Sequence, residues 1–209
     1  MTVSHVPRRE KATPRLSIII PHWPIDREVD QALATCVASL PEAAEKIIVT
    51  NNGTGFARNV NVGLRLASGN FVCITGNDSR VAGGDMYDLC LPDCVASPIV
   101  HGKPGVEPNG FHGAFWVAPR NILATVGELD ERFEGAFFED NDYLMRLRRA
   151  NVRTVQVPSV VVESRRIGLT MSKVPDRAEA WLTANQERFR AKWGFVPPVT
   201  DPGLADEGR

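Results

Sequence analysis

Cysteine is scarce in this chain, with four in 209 residues, and their spacing excludes two roles. The near pair reads Cys90-x-x-x-Cys94, not the two-residue spacing of a zinc ribbon or finger. Nor do Cys36, Cys73, Cys90 and Cys94 suggest a disulfide framework: Cys73 lies inside an apolar stretch and reads as a buried thiol in a reducing compartment. Long apolar runs are missing as well. None approaches the roughly 20 residues that span a bilayer. The basic start, with Arg8, Arg9, Lys11 and Arg15, has no apolar segment of a secretory signal. A cytoplasmic location is therefore expected, and the glycosylation-like Asn52-Gly53-Thr54 and Asn77-Asp78-Ser79 carry no weight. An excess of one charge sign is also absent. With 24 Lys+Arg against 25 Asp+Glu, the net charge of −1 provides no general basic field for nucleic acid.

What is present is apolar material, 43% of the residues, enough for one sizeable core. The expected organisation is a flexible lead at 1–14, one compact domain over 15–196, and a flexible acidic tail at 197–209. Leu16-Ser17-Ile18-Ile19-Ile20 is a short β-branched run, read as a strand covered on both faces. Residues 26–40 have helical spacing and stop at Pro41. Residues 46–50 form a second buried strand, 57–67 a helix, and 71–75 a third strand. Strand, helix, strand, helix, strand with short loops predicts an α/β fold with a mostly parallel central sheet flanked by helices. In such sheets ligands bind beyond the carboxyl ends of the strands. Pro21-His22-Trp23, Asn51-Asn52 and Gly76-Asn77-Asp78 all fall there. Residues 81–110 have weak periodicity and read as a largely irregular loop over the site, with a short helix near 86–91. Strands are expected over 111–117 and 159–164, and a final helix over 178–193 has apolar Trp181, Ala184, Phe189 and Trp193.

Phe137-Phe138-Glu139-Asp140-Asn141-Asp142 places three carboxylates at the start of a helix with Arg146, Arg148 and Arg149 near its end. Acids in a first turn complement the helix dipole. The bulky residues just before them suggest a partly buried position with chemical use.

Several patterns, in order, carry a family resemblance: Leu16-Ser17-Ile18-Ile19-Ile20-Pro21; Gly55-Phe56-Ala57-Arg58-Asn59-Val60-Asn61-Val62-Gly63; the strand ending Gly76-Asn77-Asp78; Gly113-Ala114-Phe115 followed by Gly127-Glu128-Leu129-Asp130-Glu131-Arg132-Phe133; Glu139-Asp140-Asn141-Asp142 with Arg146-Leu147-Arg148; and Asn185 through Phe189 to Lys192-Trp193-Gly194. Together they resemble the family-2-type, rhamnosyltransferase-like glycosyltransferases of GT-A (Rossmann-like) fold. The resemblance implies an inverting enzyme that moves a sugar from a nucleotide-diphosphate donor, a UDP-sugar foremost, to a hydroxyl acceptor. Asp140 is then the base, with Glu139 second. Pro21, His22, Asn51, Asn52, Arg58, Asn61, Asn77, Asp78 and Gly113 line the donor site, and Asp78 ligates Mn2+ or Mg2+. Asn51, Asn52 and Asp78 are also ordinary turn residues, Arg58 and Asn61 read either as nucleotide contacts or as caps of the neighbouring loop, and His112 and Trp116 read either as acceptor-side or as core.

Two departures fall on the metal half of the site. Gly76 stands where the family has its first Asp, and Ser164 where it often has a His, with Glu163 adjacent as a substitute ligand. The alternative is a catalytically degenerate nucleotide-sugar-binding protein. A nucleotidyltransferase is weaker, because Pro21-His22-Trp23-Pro24 is no glycine-rich phosphate loop. The acceptor remains open among a glycan, a protein and a modified DNA base. The compact size suits a small accessory or phage-encoded enzyme in a host cytoplasm.

Overall fold

A computed structural model describes residues 15–102, 110–164 and 168–197. The expected lead at 1–14 and residues 198–209 of the expected tail lie outside these. Branched apolar residues restrict their own χ1 and pack well in a pleated, covered strand. Ile18, Ile19 and Ile20 accordingly sit at the centre of β1 (Leu16–His22), whose seven residues are all buried. Asp26 then caps α1 (Arg27–Ser39) by accepting from Val29 N at 2.9 Å. β2 (Glu45–Thr50), α2 (Phe56–Leu66) and β3 (Phe71–Thr75) follow within a residue of their expected bounds.

The middle corrects the sequence expectation. Within the described part of that stretch, 81–102, the chain is not largely irregular: β4 (Arg80–Gly83) leads to a 3-10 turn at Met86–Leu89 and then to β5 (Cys94–His101). β5 was obscured by Pro98, which removes a ladder donor. The register against its neighbour shifts just after that residue, from Pro98↔Val157 to Ile99↔Val161. β6 (Phe115–Pro119), α3 (Arg120–Val126) and α4 (Glu139–Arg149) come next. β7 (Arg153–Glu163) is one strand running through Pro158 rather than a strand starting at 159. α5 (Leu169–Ser172) and α6 (Pro175–Trp193) complete the described chain.

The sheet order is β2-β1-β3-β6-β5-β7-β4. β1 pairs in parallel with β2 and β3, and β5 with β7, while β6 runs antiparallel to β3 and β5 and β4 antiparallel to β7. Five strands thus point one way, and their carboxyl ends share an edge with the starts of β4 and β6. Ile19, Val60, Ile122, Leu144 and Leu147 fill one face beneath α2, α3 and α4; Ile18, Ile20, Cys36, Met86 and Leu89 fill the other beneath α1 and the 3-10 turn. Trp116 belongs to the first core, with its ring 5.0 Å from that of Tyr143 and 5.7 Å from that of Phe111. Phe133, Phe138 and Phe189 make a third cluster where α6 meets the approach to α4.

Candidate active site

At the carboxyl end of β1, Pro21 pairs with Val49 and His22 with Thr50. His22 is buried, which forces its ring nitrogens to find partners. Asn77 Nδ2 lies 3.0 Å from His22 Nδ1, and Asp30 Oδ1 lies 3.1 Å from Nε2. With the amide donating, Nδ1 accepts and the Nε2–H faces Asp30, which sets the tautomer. Asn51 ties the end of β2 to that of β1: its backbone N and Nδ2 both donate to His22 O, at 2.8 and 2.9 Å, and its Oδ1 accepts from Gly53 N at 2.8 Å. This is an Asx turn. Asn52 and Arg58 stay exposed beside it.

Asn61 holds the neighbouring loop, one of the two readings its position allowed. Its amide donates to Leu129 O at 2.9 Å and Glu131 Oε1 at 3.0 Å, and accepts from Leu129 N at 2.9 Å. Those bonds pin the segment after α3 against α2 and use both ends of the amide.

Beyond β3, Asp78 Oδ2 accepts from Leu169 N at 2.7 Å, so the carboxylate holds the start of α5. A β-carbon on Gly76 would come within 3.0 Å of Asp78 Oδ1. Glycine at 76 therefore leaves room for the Asp78 carboxylate, as well as removing an acid. Ser79 and Ser164 lie together, Oγ to Oγ 3.5 Å. Glu163, the substitute ligand suggested by sequence, instead pairs with Arg80 at 2.6 Å, both side chains about half exposed. Among the described residues no three His, Cys, Asp or Glu side chains gather as a metal cage. Asp78 Oδ1 is the carboxylate oxygen available there. This set fits a divalent cation that a diphosphate brings with it, not one held by protein alone. Cys36 lies beneath this turn, 3.7 Å from Gly76 O; burial, helped by the nearby Asp78, pushes its thiol up to about 12.

The acidic stretch joins this edge through a short chain of contacts. Gly76 N donates to Ala114 O at 3.2 Å. A β-carbon on the adjoining Gly113 would fall inside the Asp140 carboxylate. Gly113 therefore lets the first turn of α4 close onto the loop before β6. Asp140 Oδ1 accepts from Asn141 N at 2.8 Å. Asp140 is partly exposed, whereas Glu139 beside it is buried. Asp142 has no exposed surface and receives Trp193 Nε1 at 2.9 Å, Lys192 Nζ at 2.5 Å and Arg146 Nε at 3.1 Å. Asp142 is therefore an anchor that ties α4 to α6.

Solved structures share this architecture. A mannosyltransferase of Pyrobaculum calidifontis in complex with GDP-Man and Mn2+ superposes with a TM-score of 0.58 at 16% identity, over 93% of this chain and 69% of that one. TarS of S. aureus, residues 1–349, matches with a TM-score of 0.56 at 13% identity over 72% of this chain. The catalytic domain of Drosophila beta1,4galactosyltransferase 7 gives 0.54 at 17% identity over 68% of this chain. The fold is GT-A. This chain spans 60% of the TarS piece and 64% of the Drosophila domain. No protein-family model matches the sequence, and no curated protein matches it.

Within the GT-A fold, the residues that sequence reasoning missed come mainly from the C-terminal part. Arg177 lies 5.1 Å from the centre of the Trp23 ring and 5.0 Å from that of Trp181. Each indole also meets a glycine: Trp23 lies where a β-carbon on Gly53 would come within 2.9 Å, and Trp181 lies where one on Gly135 would clash. Gly135 in turn accepts from Phe56 N at 2.6 Å. The stack thus links the loops after β1 and β2 to the approach to α4. Spacing held a clue to these contacts, since Trp181, Asn185, Phe189 and Trp193 recur every four residues.

Proposed function

We propose that this chain is an inverting glycosyltransferase that moves a sugar from a nucleotide diphosphate, a UDP-sugar foremost, to a hydroxyl acceptor. The observation that carries this reading is the continuous contact from Asp140 through Gly113 and Ala114 to Gly76 and the Asp78 turn, at the carboxyl edge of a GT-A sheet. In the proposed step the acceptor oxygen forms the new bond to the anomeric carbon and its proton passes to the Asp140 carboxylate. The bond from that carbon to the phosphate oxygen breaks, and its electron pair leaves with the diphosphate. Asp140 is favoured over Glu139 because its carboxylate is the more exposed and lies against Gly113 at the site edge. Pro21, His22, Asn51, Asn52, Arg58 and Asn77 frame the donor side, with His22 and Asn77 holding its floor. Asp78 would be the protein's own ligand to a divalent cation carried by the diphosphate, which would supply charge neutralisation there. Support comes from neighbours solved with GDP-Man and Mn2+ and with UDP-GlcNAc.

A panel of nucleotide sugars, assayed for released nucleoside diphosphate with Mn2+, Mg2+ or chelator, tests the proposal. One donor class is turned over by the wild type, and Asp140→Asn lowers the rate by about 10²–10⁴-fold, the usual range for losing a positioned base. Inversion is read from the anomeric configuration of the product by NMR. The alternative, a nucleotide-sugar binder without catalysis, draws on Gly76, Ser164 and the Asp78 oxygen spent on the Leu169 N–H at the start of α5. It prevails if donors bind without turnover, or if Asp140→Asn behaves as the wild type.

A further inference from the structure

The apolar stripe along α6 has one polar member. Asn185 lies between Trp181 and Phe189 at four-residue spacing and is fully buried. Its Nδ2 donates to the carbonyl oxygens of Glu134 and Ala136, both at 2.8 Å, and of Phe137 at 3.1 Å. Its Oδ1 accepts from Arg188 at 2.8 Å. The three carbonyls belong to the approach to α4, where Phe137 and Phe138 both take left-handed backbone, at φ 77° and 69°. Bulky L-residues avoid that region, and two in succession persist only where their surroundings hold them. The same helix face supplies further restraint: the Phe189 ring centre lies 5.5 Å from that of Phe138 and 6.5 Å from that of Phe133. Glu139 and Asp140 follow the strained pair directly, and Phe138 O accepts from Asp142 N at 2.9 Å.

We propose that Asn185 is a positioning residue for the Asp140 carboxylate. Its amide holds the carbonyls of Glu134, Ala136 and Phe137, keeps Phe137 and Phe138 left-handed, and so sets where the first turn of α4 presents its acid. This rests on the assignment of Asp140 as base. The chemistry at 185 is specific: an Asp of the same shape would turn an oxygen toward those carbonyls instead of N–H donors.

The test compares full-length wild type, Asn185→Ala, Asn185→Asp and the double variant Asn185→Ala with Phe137→Gly, each well below its own Tm. Measured are kcat and donor KM for diphosphate release, and hydrogen exchange of the Asp142 amide. Asn185→Ala lowers kcat on the order of 10²-fold, the scale of an ångström-sized misplacement, leaves donor KM unchanged and speeds exchange at Asp142. Asn185→Asp does at least as much. Glycine takes positive φ without steric cost, so the double variant recovers part of the lost kcat. A folded Asn185→Ala protein with wild-type kcat overturns the proposal, as does a loss confined to Tm or donor KM. Wild type that turns over no donor overturns the proposed function itself, and this inference with it.

Discussion

Single residues at this site act largely through what their neighbours need. Gly113 has no side chain because the Asp140 carboxylate occupies that space. Gly113→Ala therefore pushes the acid away, and kcat for diphosphate release is expected to fall by about 10²-fold with donor binding retained; steady-state kinetics with nucleotide competition separate the two. Asn61 and Asn51 show how an amide's task depends on surroundings. Both sit in motifs that read as donor contacts, yet Asn61 is bonded at both ends to the segment around Leu129, and Asn51 closes a turn onto His22. Residue type and spacing told that these positions mattered. They did not tell which group the amide meets, because the partner lies 68 residues away for Asn61 and 29 for Asn51.

At the scale of elements, α6 is the organiser of the acidic half. It places Asn185 on the approach to α4 and both Lys192 and Trp193 on the buried Asp142. A buried carboxylate depends on each of its donors, and a hydrogen bond to a charged group contributes about 1.5–3 kcal/mol. Trp193→Phe keeps an aromatic ring and deletes the donor; stability should drop by at least about that amount, read as a lower urea midpoint with unchanged slope. Most elements were legible, since α1, α2, β1, β2 and β3 follow from periodicity, caps and glycine or proline breaks. β5 was not. A proline inside a strand argues against the strand locally, and the shifted register that accommodates it arises only when β7 lies alongside.

For the whole molecule, pH acts on two groups of side chains in opposite directions. Asp130 is held well below the ordinary carboxylate value of 3.8, first by its bond to Arg132 and then by Lys192 of α6. Its contribution to stability is present above that value and is lost as the pH falls below it. Cys36 and Cys90 are pushed up to about 12 from 9.0, chiefly by burial. Their contribution is present below pH 9.0 and is lost as the pH rises from there toward 12. Denaturation midpoints across pH are expected to form a plateau that falls at both ends, with the acid fall reduced in Asp130→Asn.

Sequence alone determined the α/β class, the strand-end location of the candidate site and the acidic start of α4, because these follow from local periodicity, short breaks and the direction of successive strands. Tertiary structure alone decided that Asp78 caps α5, that Asp140 closes onto Gly113, and that a buried asparagine on the last helix grips the approach to the acid. Those outcomes join residues 91, 27 and about 50 positions apart. At such separations no local pattern specifies a partner; only the closing of the sheet and the burial of polar atoms that must then be satisfied brings the groups together.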